Sequence, residues 1–322
     1  MAYGIHGVDV TVTSDDELIV ELVDHRLRSF RREAGRIGRD EVCLSLSAVA
    51  DPGSYRCPLS GGRRSVYDPP EGEVLYYHDA DQLHLHNDEV TSRVDLAAGR
   101  VDTWFRGDTP SASWLASHPF LTLALMEVLR RRSRYCLHAA ACVVDGRVVL
   151  VPGGSGAGKT TVAVAMVRAG AGFMGDDTVL LSPDPDGVSV FGFPDEINLT
   201  DGTARMFAEV AHLVGAPRMA GARKHRIRPE NVFGRPSVMR GRPAVLVFPV
   251  VGDAEDNRVR PMSQAEALVE LVPNVLLTEP ATAQAHLDVL GQLVQRCHSF
   301  RLLTGRRVEE IPGVVQGLLA SS

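Results

Sequence analysis

The segment Gly153-Gly154-Ser155-Gly156-Ala157-Gly158-Lys159-Thr160 matches the phosphate-binding loop pattern G-x-x-x-x-G-K-[ST]. Its glycines let the backbone curl so that N–H groups point inward, and the helix that follows adds its positive dipole end. In this pattern Lys159 contacts the outer phosphates, and the Thr160 hydroxyl binds Mg²⁺. The segment therefore predicts binding of a nucleoside triphosphate, ATP or GTP, with Mg²⁺. ATP is the expected one, and its predicted site comprises Gly153, Gly154, Ser155, Gly156, Ala157, Gly158, Lys159, Thr160 and Thr161.

The residues around the loop supply the strand and the helix that this pattern requires. Leu137 to Val144 and Arg147 to Val151 are apolar, and the Asp145-Gly146 turn between them predicts a hairpin directly before the loop. After the loop, Lys159 to Ala169 predicts a helix that ends at Gly170. A Gly-rich turn without function would not explain the Lys-Thr pair at the start of this helix.

Two adjacent aspartates, Asp176 and Asp177, follow the helix inside a strand predicted from Phe173 to Leu181. Apolar residues on both sides indicate that the pair is buried. On a regular strand the two carboxylates would point to opposite faces, whereas a bend would present both to the loop. In either case one carboxylate is expected near Mg²⁺ and the other near an incoming hydroxyl.

Residues 1–110 predict a separate, β-rich α+β domain, which we expect to take part in substrate recognition. Asp15 or Asp16 is expected to cap a helix that runs to about Arg28. A change of composition near Thr109 predicts the domain boundary at residue 110, so that residues 111–322 form the catalytic domain. The predicted strands of the first domain are Val8 to Thr13, Val42 to Val49, Val74 to Tyr77, Gln82 to His86, Ser92 to Leu96 and Arg100 to Phe105.

The second domain contains further predicted elements, one before the phosphate-binding loop and the others beyond the aspartates. Ser263 and Glu266 form a capping-box pattern at the start of one helix. These elements are strands at Gly187 to Phe193, Pro243 to Val251 and Ser299 to Leu303, and helices at His118 to Arg132, Gln264 to Leu271, Pro280 to Arg296 and Gly313 to Ala320.

Composition argues against several classes of partner. The net charge of −6 and the 6% aromatic content give no basis for nucleic-acid binding. No continuous apolar run has the length of a membrane helix, and Met1 to His6 lacks the features of a signal peptide. We therefore expect a cytoplasmic protein with no nucleic-acid or membrane partner.

His138, the loop and the Asp-Asp pair, in this order, resemble the catalytic domain of HPr kinase/phosphorylase. More specifically, the chain resembles the HPr-kinase-like enzymes of bacterial biosynthetic clusters, including those that phosphorylate lasso-peptide precursors. The resemblance extends from about Phe120 to the C-terminus. It implies an α/β P-loop domain of the HPr kinase type, which is PEP carboxykinase-like, preceded by the β-rich α+β domain. It also implies a kinase for a serine of a peptide or protein, and the ring assemblies of the family make a homo-oligomer an expectation.

The family implies roles for individual residues. His138 matches a histidine near the transferred phosphoryl group, and Asp176 and Asp177 match an aspartate pair that supplies the general base and lies close to the metal. Glu196 lies where the family places another metal-side acid. With Lys159, these residues form the predicted catalytic and metal set. The basic run from Arg223 to Arg228 is a separate feature that predicts substrate contacts, mainly through Lys224 and Arg226.

Two departures from the family limit the resemblance. The N-terminal region does not resemble the regulatory domain of HPr kinases, and the C-terminal signature for HPr binding and phosphorolysis is not found. Reverse phosphorylase activity is therefore not expected. Two alternatives stay open: a kinase for a small-molecule hydroxyl, such as an amino acid or natural product, and a nucleotide-dependent switch. The Asp-Asp pair argues against the switch, because a switch needs no base for an alcohol.

Overall fold

The computed structural model describes residues 1–32, 41–56, 64–67 (backbone), 73–217, 224–277 and 279–321. The described residues divide into two compact units, one within Met1–Arg132 and one formed by the described residues from Ser133 onward. The boundary lies later than the predicted one at residue 110. The reason is that the helical segment after Thr109 packs against the sheet and the first helix of the first unit.

Within the described residues, the first unit is built on an eight-stranded sheet in the order β1-β2-β3-β8-β7-β6-β5-β4. Strands β4 to β8 form an antiparallel meander, whereas β3 pairs in parallel with both β2 and β8. The strands are β1 (Ala2–Ile5), β2 (Val8–Ser14), β3 (Glu41–Val49), β4 (Arg64–Tyr67), β5 (Val74–Asp79), β6 (Gln82–His86), β7 (Val90–Asp95) and β8 (Arg100–Arg106).

Helices of the first unit cover the apolar face of this sheet. Helix α1 (Glu17–Leu27) is capped by Asp16, whose carboxylate accepts a hydrogen bond from the Ile19 N–H at 2.9 Å. Helices α2 (Pro110–Leu115) and α3 (Leu121–Arg130) are joined by one π-helical turn. The segment Pro110–Arg130 is long and apolar enough to cross a membrane, but 89% of its most apolar window is buried inside the protein. A buried core helix passes the same test of length and composition.

The second unit is a mixed α/β structure whose main sheet has nine strands within the described residues. The long strand β17 connects two parts of this sheet: it pairs in parallel with β11 and β19, and antiparallel with β14. The strands are β9 (Tyr135–Leu137), β10 (Ala139–Val144), β11 (Arg147–Pro152), β12 (Gly172–Gly175), β13 (Val179–Asp184), β14 (Gly187–Gly192), β15 (Ile197–Leu199), β16 (His225–Ile227), β17 (Arg240–Val251), β18 (Arg258–Met262) and β19 (His298–Thr304).

Helices lie on both faces of the main sheet, so its central strands are buried on both sides. Alternate residues of β11 and β17 point into two cores, one shared with α4 and α9 and the other with α7 and α8. Strands buried on both faces have continuous apolar sequences, and Val148 to Val151 is an example. The helices are α4 (Lys159–Arg168), α5 (Asp201–Arg205), α6 (Pro229–Phe233), α7 (Gln264–Leu271), α8 (Pro280–Arg296) and α9 (Ile311–Ala320).

The prediction of one continuous strand from Phe173 to Leu181 is wrong. This segment forms two strands, which are separated by a bend at Asp176-Asp177. Strand β12 ends at Gly175 and pairs with β10, whereas β13 begins at Val179 and pairs with β9 and β14. The two strands have different neighbours, so the chain must leave one before it joins the other. The bend is the alternative in which both carboxylates face the loop.

Replacing Gly175 with alanine should destabilise this bend. A Cβ atom at Gly175 would lie 2.4 Å from the Thr178 carbonyl oxygen and 3.3 Å from that of Phe193, and neither backbone group can move freely. We expect the free energy of unfolding to fall by about 2 kcal/mol, as for other overpacked sites. Urea denaturation measures the change. The matched control is Gly291→Ala within α8, where a Cβ meets nothing within 4 Å and alanine should stabilise the helix by about 1 kcal/mol. Equal effects at the two positions would contradict the steric argument.

Candidate active site

The predicted phosphate-binding loop joins the end of β11 to the start of α4. Three of its glycines have positive φ angles, 151° at Gly153, 80° at Gly156 and 103° at Gly158, a region that residues with a Cβ rarely adopt. Gly154 to Gly156 are exposed, whereas Lys159 at the first turn of α4 is buried. The loop thus has an open outer surface with a buried lysine beneath it, next to the positive end of a helix dipole.

Lys159 and His138 are in direct contact. The Lys159 Nζ lies 3.0 Å from His138 Nε2 and donates a hydrogen bond to the Gly154 carbonyl oxygen at 3.1 Å. His138 Nδ1 lies 2.8 Å from the Asp177 carbonyl oxygen, which can only accept, so Nδ1 carries the proton and Nε2 accepts from the ammonium. Burial, and then the charge of Lys159, lower the pKa of His138. A neutral His138 thus holds the lysine beside the loop.

Asp176 is buried beside Thr160. Its Oδ2 accepts hydrogen bonds from the Thr160 hydroxyl at 3.3 Å and from the Asn198 backbone N–H at 2.9 Å. Its Oδ1 is buried and has no hydrogen-bond partner among the described residues. Burial, and then the charge of Asp177, raise the pKa of Asp176 to about 7. Asp176 is only 3% exposed, so this pair is not part of a solvent-exposed turn.

The Asp176 carboxylate and the Thr160 hydroxyl together fit a Mg²⁺ site. An unsatisfied, fully buried carboxylate oxygen costs free energy, and a hard divalent cation is a partner that would satisfy it. The Thr160 hydroxyl is adjacent, and oxygen donors of this kind, completed by water and phosphate, are what Mg²⁺ prefers. The described residues contain no group of three or more His, Cys, Asp or Glu side chains that could hold a metal by themselves. Such a site would therefore need phosphate oxygens to be complete.

Asn198 is a site residue that the sequence did not predict. It lies in β15, which pairs with β16 in a two-stranded ribbon, and its side-chain Nδ2 donates to Asp177 Oδ2 at 3.0 Å. Together with its backbone N–H, it contacts both aspartates. A polar residue two positions after Glu196 in a short apolar strand was the available signal, and it was too weak to single Asn198 out.

The structure places the predicted acid Glu196 beside a cation rather than in a carboxylate cluster. Its Oε2 lies 3.7 Å from an Arg226 guanidinium nitrogen, and Arg226 pairs across the ribbon with Asn198. Glu196 therefore does not join the aspartates in a three-carboxylate metal site within the described chain. Thr161 lies beside the loop at the edge of α4, with its hydroxyl 3.4 Å from that of Thr203.

Lys224 is the second cation at the site. It precedes β16, is half-buried, and acts electrostatically on His138, Lys159 and Asp176. Only two of the 34 lysine and arginine residues of the chain are lysines, Lys159 and Lys224. Both lie at this site, a compositional signal that supports the choice of Lys224. Arg223, which precedes it in the basic run, lies outside the described residues.

Asp176 also predicts how the stability of the ligand-free protein depends on pH. Its folded pKa of about 7 lies above the unfolded value of about 3.9, so its contribution is present at low pH and lost as pH rises towards 7. Asp176→Asn, a neutral isostere, should therefore have a higher free energy of unfolding than the natural protein at pH 8, with a smaller difference at pH 5. Urea denaturation at the two pH values measures this. A difference that does not change with pH would contradict the assignment.

Comparisons with known proteins were made by sequence and by structure. No protein-family model matches the sequence, and no curated protein matches it. Among solved structures the chain is similar to the Hpr(Ser) kinase/phosphatase from Coxiella burnetii, at 12% identity and a TM-score of 0.30. The similarity covers 58% of this chain and 94% of that one.

Proposed function

We propose that this protein is an ATP-dependent kinase that transfers the γ-phosphoryl group to a hydroxyl. The proposed acceptor is a serine of a peptide or protein. The observation that carries the proposal is the convergence of two kinds of group at one place. Lys159 and Thr160 start the helix behind the loop, and Asp176 and Asp177 face them from a bend. Phosphate binding needs only the first kind, whereas transfer to an alcohol needs a base as well.

In this proposal the two aspartates have separate tasks. Asp176 and Thr160 would hold Mg²⁺, which neutralises charge on the β- and γ-phosphates when bound. Asp177 is half-buried, and its Oδ1 makes no hydrogen bond to a described residue, so this oxygen can accept the acceptor's proton. The acceptor oxygen forms a bond to the γ-phosphorus, the bond to the β,γ-bridging oxygen breaks, the hydroxyl proton moves to Asp177, and ADP leaves.

Positive charge at the site complements the transferred phosphoryl group. The Lys159 ammonium lies beneath the loop, and its contact with His138 keeps it there. Positioning and electrostatic stabilisation supply most of the catalysis in such transfers, so a few fixed groups suffice. Lys224 and Arg226 lie at the start of the ribbon and within it. We assign them to the acceptor side, where they would contact a peptide or its phosphorylated product.

A direct test needs the purified protein, Mg-ATP and three classes of acceptor. These are serine-containing peptides, including the precursor peptides of natural-product clusters, then free amino acids, then water alone. Formation of phosphopeptide supports the proposal as stated, and phosphorylation of a free hydroxyl compound would make the protein a small-molecule kinase. Tight Mg-ATP binding with no transfer to any acceptor, water included, would contradict the kinase and favour a nucleotide-dependent switch.

A further inference from the structure

The ribbon of β15 and β16 has one face buried against the core and one polar face. Ile197, Leu199 and Ile227 are buried in the same core as α4. Asn198 and Arg226, which pair with each other, lie on the opposite face. The packing of the first face against the core fixes the second, so Asn198 is held at a defined place relative to the loop and the bend.

Asn198 uses two different groups for the two aspartates. The backbone N–H bonds to Asp176 Oδ2, and the side-chain amide bonds to Asp177 Oδ2. In both aspartates Oδ2 accepts the hydrogen bond from Asn198, and Oδ1 has no hydrogen-bond partner among the described residues. Each carboxylate therefore has one anchored oxygen and one available oxygen.

We propose that Asn198 is a positioning residue that assigns the two aspartates to different tasks. Its backbone N–H orients Asp176 with Oδ1 available for the cation, and its side chain orients Asp177 with Oδ1 available for the acceptor's proton. This inference rests on the proposed phosphotransfer. Asn198 itself touches neither phosphate nor acceptor in this scheme, and it acts only through the two carboxylates.

The division between backbone and side chain makes the proposal testable by one substitution. Asn198→Ala removes the amide that holds Asp177 but keeps the backbone N–H that holds Asp176. The affinity for Mg-ATP should change by less than about twofold, whereas kcat should fall by about 10- to 100-fold, because small displacements of a base have effects of this size. ATP hydrolysis, with water as acceptor, gives kcat, and isothermal titration with a non-hydrolysable ATP analogue and Mg²⁺ gives the affinity.

A second variant separates hydrogen bonding from shape. Asn198→Asp has nearly the same shape, but it places a carboxylate instead of a donor against Asp177. It should be at least as slow as Asn198→Ala, whereas a purely structural role would leave it close to the natural protein. The matched control is Asn231→Ala at an exposed position of α6, where no side-chain hydrogen bond to a described residue is lost. It should leave kcat, affinity and stability unchanged.

A double-mutant cycle shows whether Asn198 acts through Asp177. In an Asp177→Asn background, Asn198→Ala should reduce the remaining rate by less than about twofold, because residues that act as one unit are not additive. A full additional loss would overturn the inference. The proposed function fails separately, if Asp177→Asn alone leaves hydrolysis and transfer intact. If Asp177→Asn is inactive while both Asn198 variants are fully active, only the role of Asn198 is wrong.

Discussion

Asp177→Asn should abolish most phosphotransfer while the protein still binds Mg-ATP. The asparagine can keep the hydrogen bond from Asn198 by turning its carbonyl oxygen towards it. Its NH₂ group then occupies the place of Oδ1, and an amide cannot take a proton from a hydroxyl. General-base catalysis contributes about 10²- to 10⁴-fold, so kcat should fall by that factor. The affinity for Mg-ATP should be equal or higher, because a negative charge near the phosphates is removed.

The matched control for this prediction is Asp145→Asn. Asp145 is exposed in the turn between β10 and β11 and has a φ angle of 49°, a conformation that asparagine accepts readily. This variant should match the natural protein in single-turnover transfer and in nucleotide affinity. If Asp177→Asn retains more than about a tenth of the rate while the control behaves as expected, the base is another group.

The local part of the site was predictable from the sequence. The strand, loop and helix from Arg147 to Arg168 follow one another along the chain, and each is indicated by apolar periodicity or by glycines. The same holds for α7, because the capping box of Ser263 and Glu266 involves residues three apart. These elements depend on interactions within a few residues, which sequence patterns report directly.

The non-local part was not predictable in the same way. Whether Asp176 and Asp177 lie in a strand or a bend depends on which strands β12 and β13 pair with, and those partners come from other parts of the sequence. Asn198 reaches the aspartates through a ribbon whose other strand begins at His225. The boundary after Arg132 likewise depends on where a helix packs, and composition near Thr109 does not report that.

The substitution Lys159→Met should weaken nucleotide binding without lowering the stability of the protein. The methionine fills a similar volume but carries no charge, so one charge-assisted hydrogen bond to phosphate is lost. Such bonds contribute about 1.5–3 kcal/mol, and the affinity for Mg-ATP should therefore fall by about 10- to 100-fold. A donor that stabilises the transition state is lost as well, which should reduce kcat by a further factor of about 10²–10³.

The stability of the same variant distinguishes a functional lysine from a structural one. Burial lowers the pKa of Lys159, which means that folding disfavours its charged form. Its nearest partners are the neutral groups His138 Nε2 and the Gly154 carbonyl oxygen. Removing the charge should therefore leave the free energy of unfolding equal or higher in urea denaturation at pH 7. Arg168→Met, at the other end of α4 where Arg168 pairs with Glu209, is the control that should keep nucleotide affinity. A large loss of stability in Lys159→Met would mean that the lysine is retained for the fold. Unchanged or higher stability would instead mean that the buried cation is kept at a cost to the fold, which is expected only where a ligand needs it.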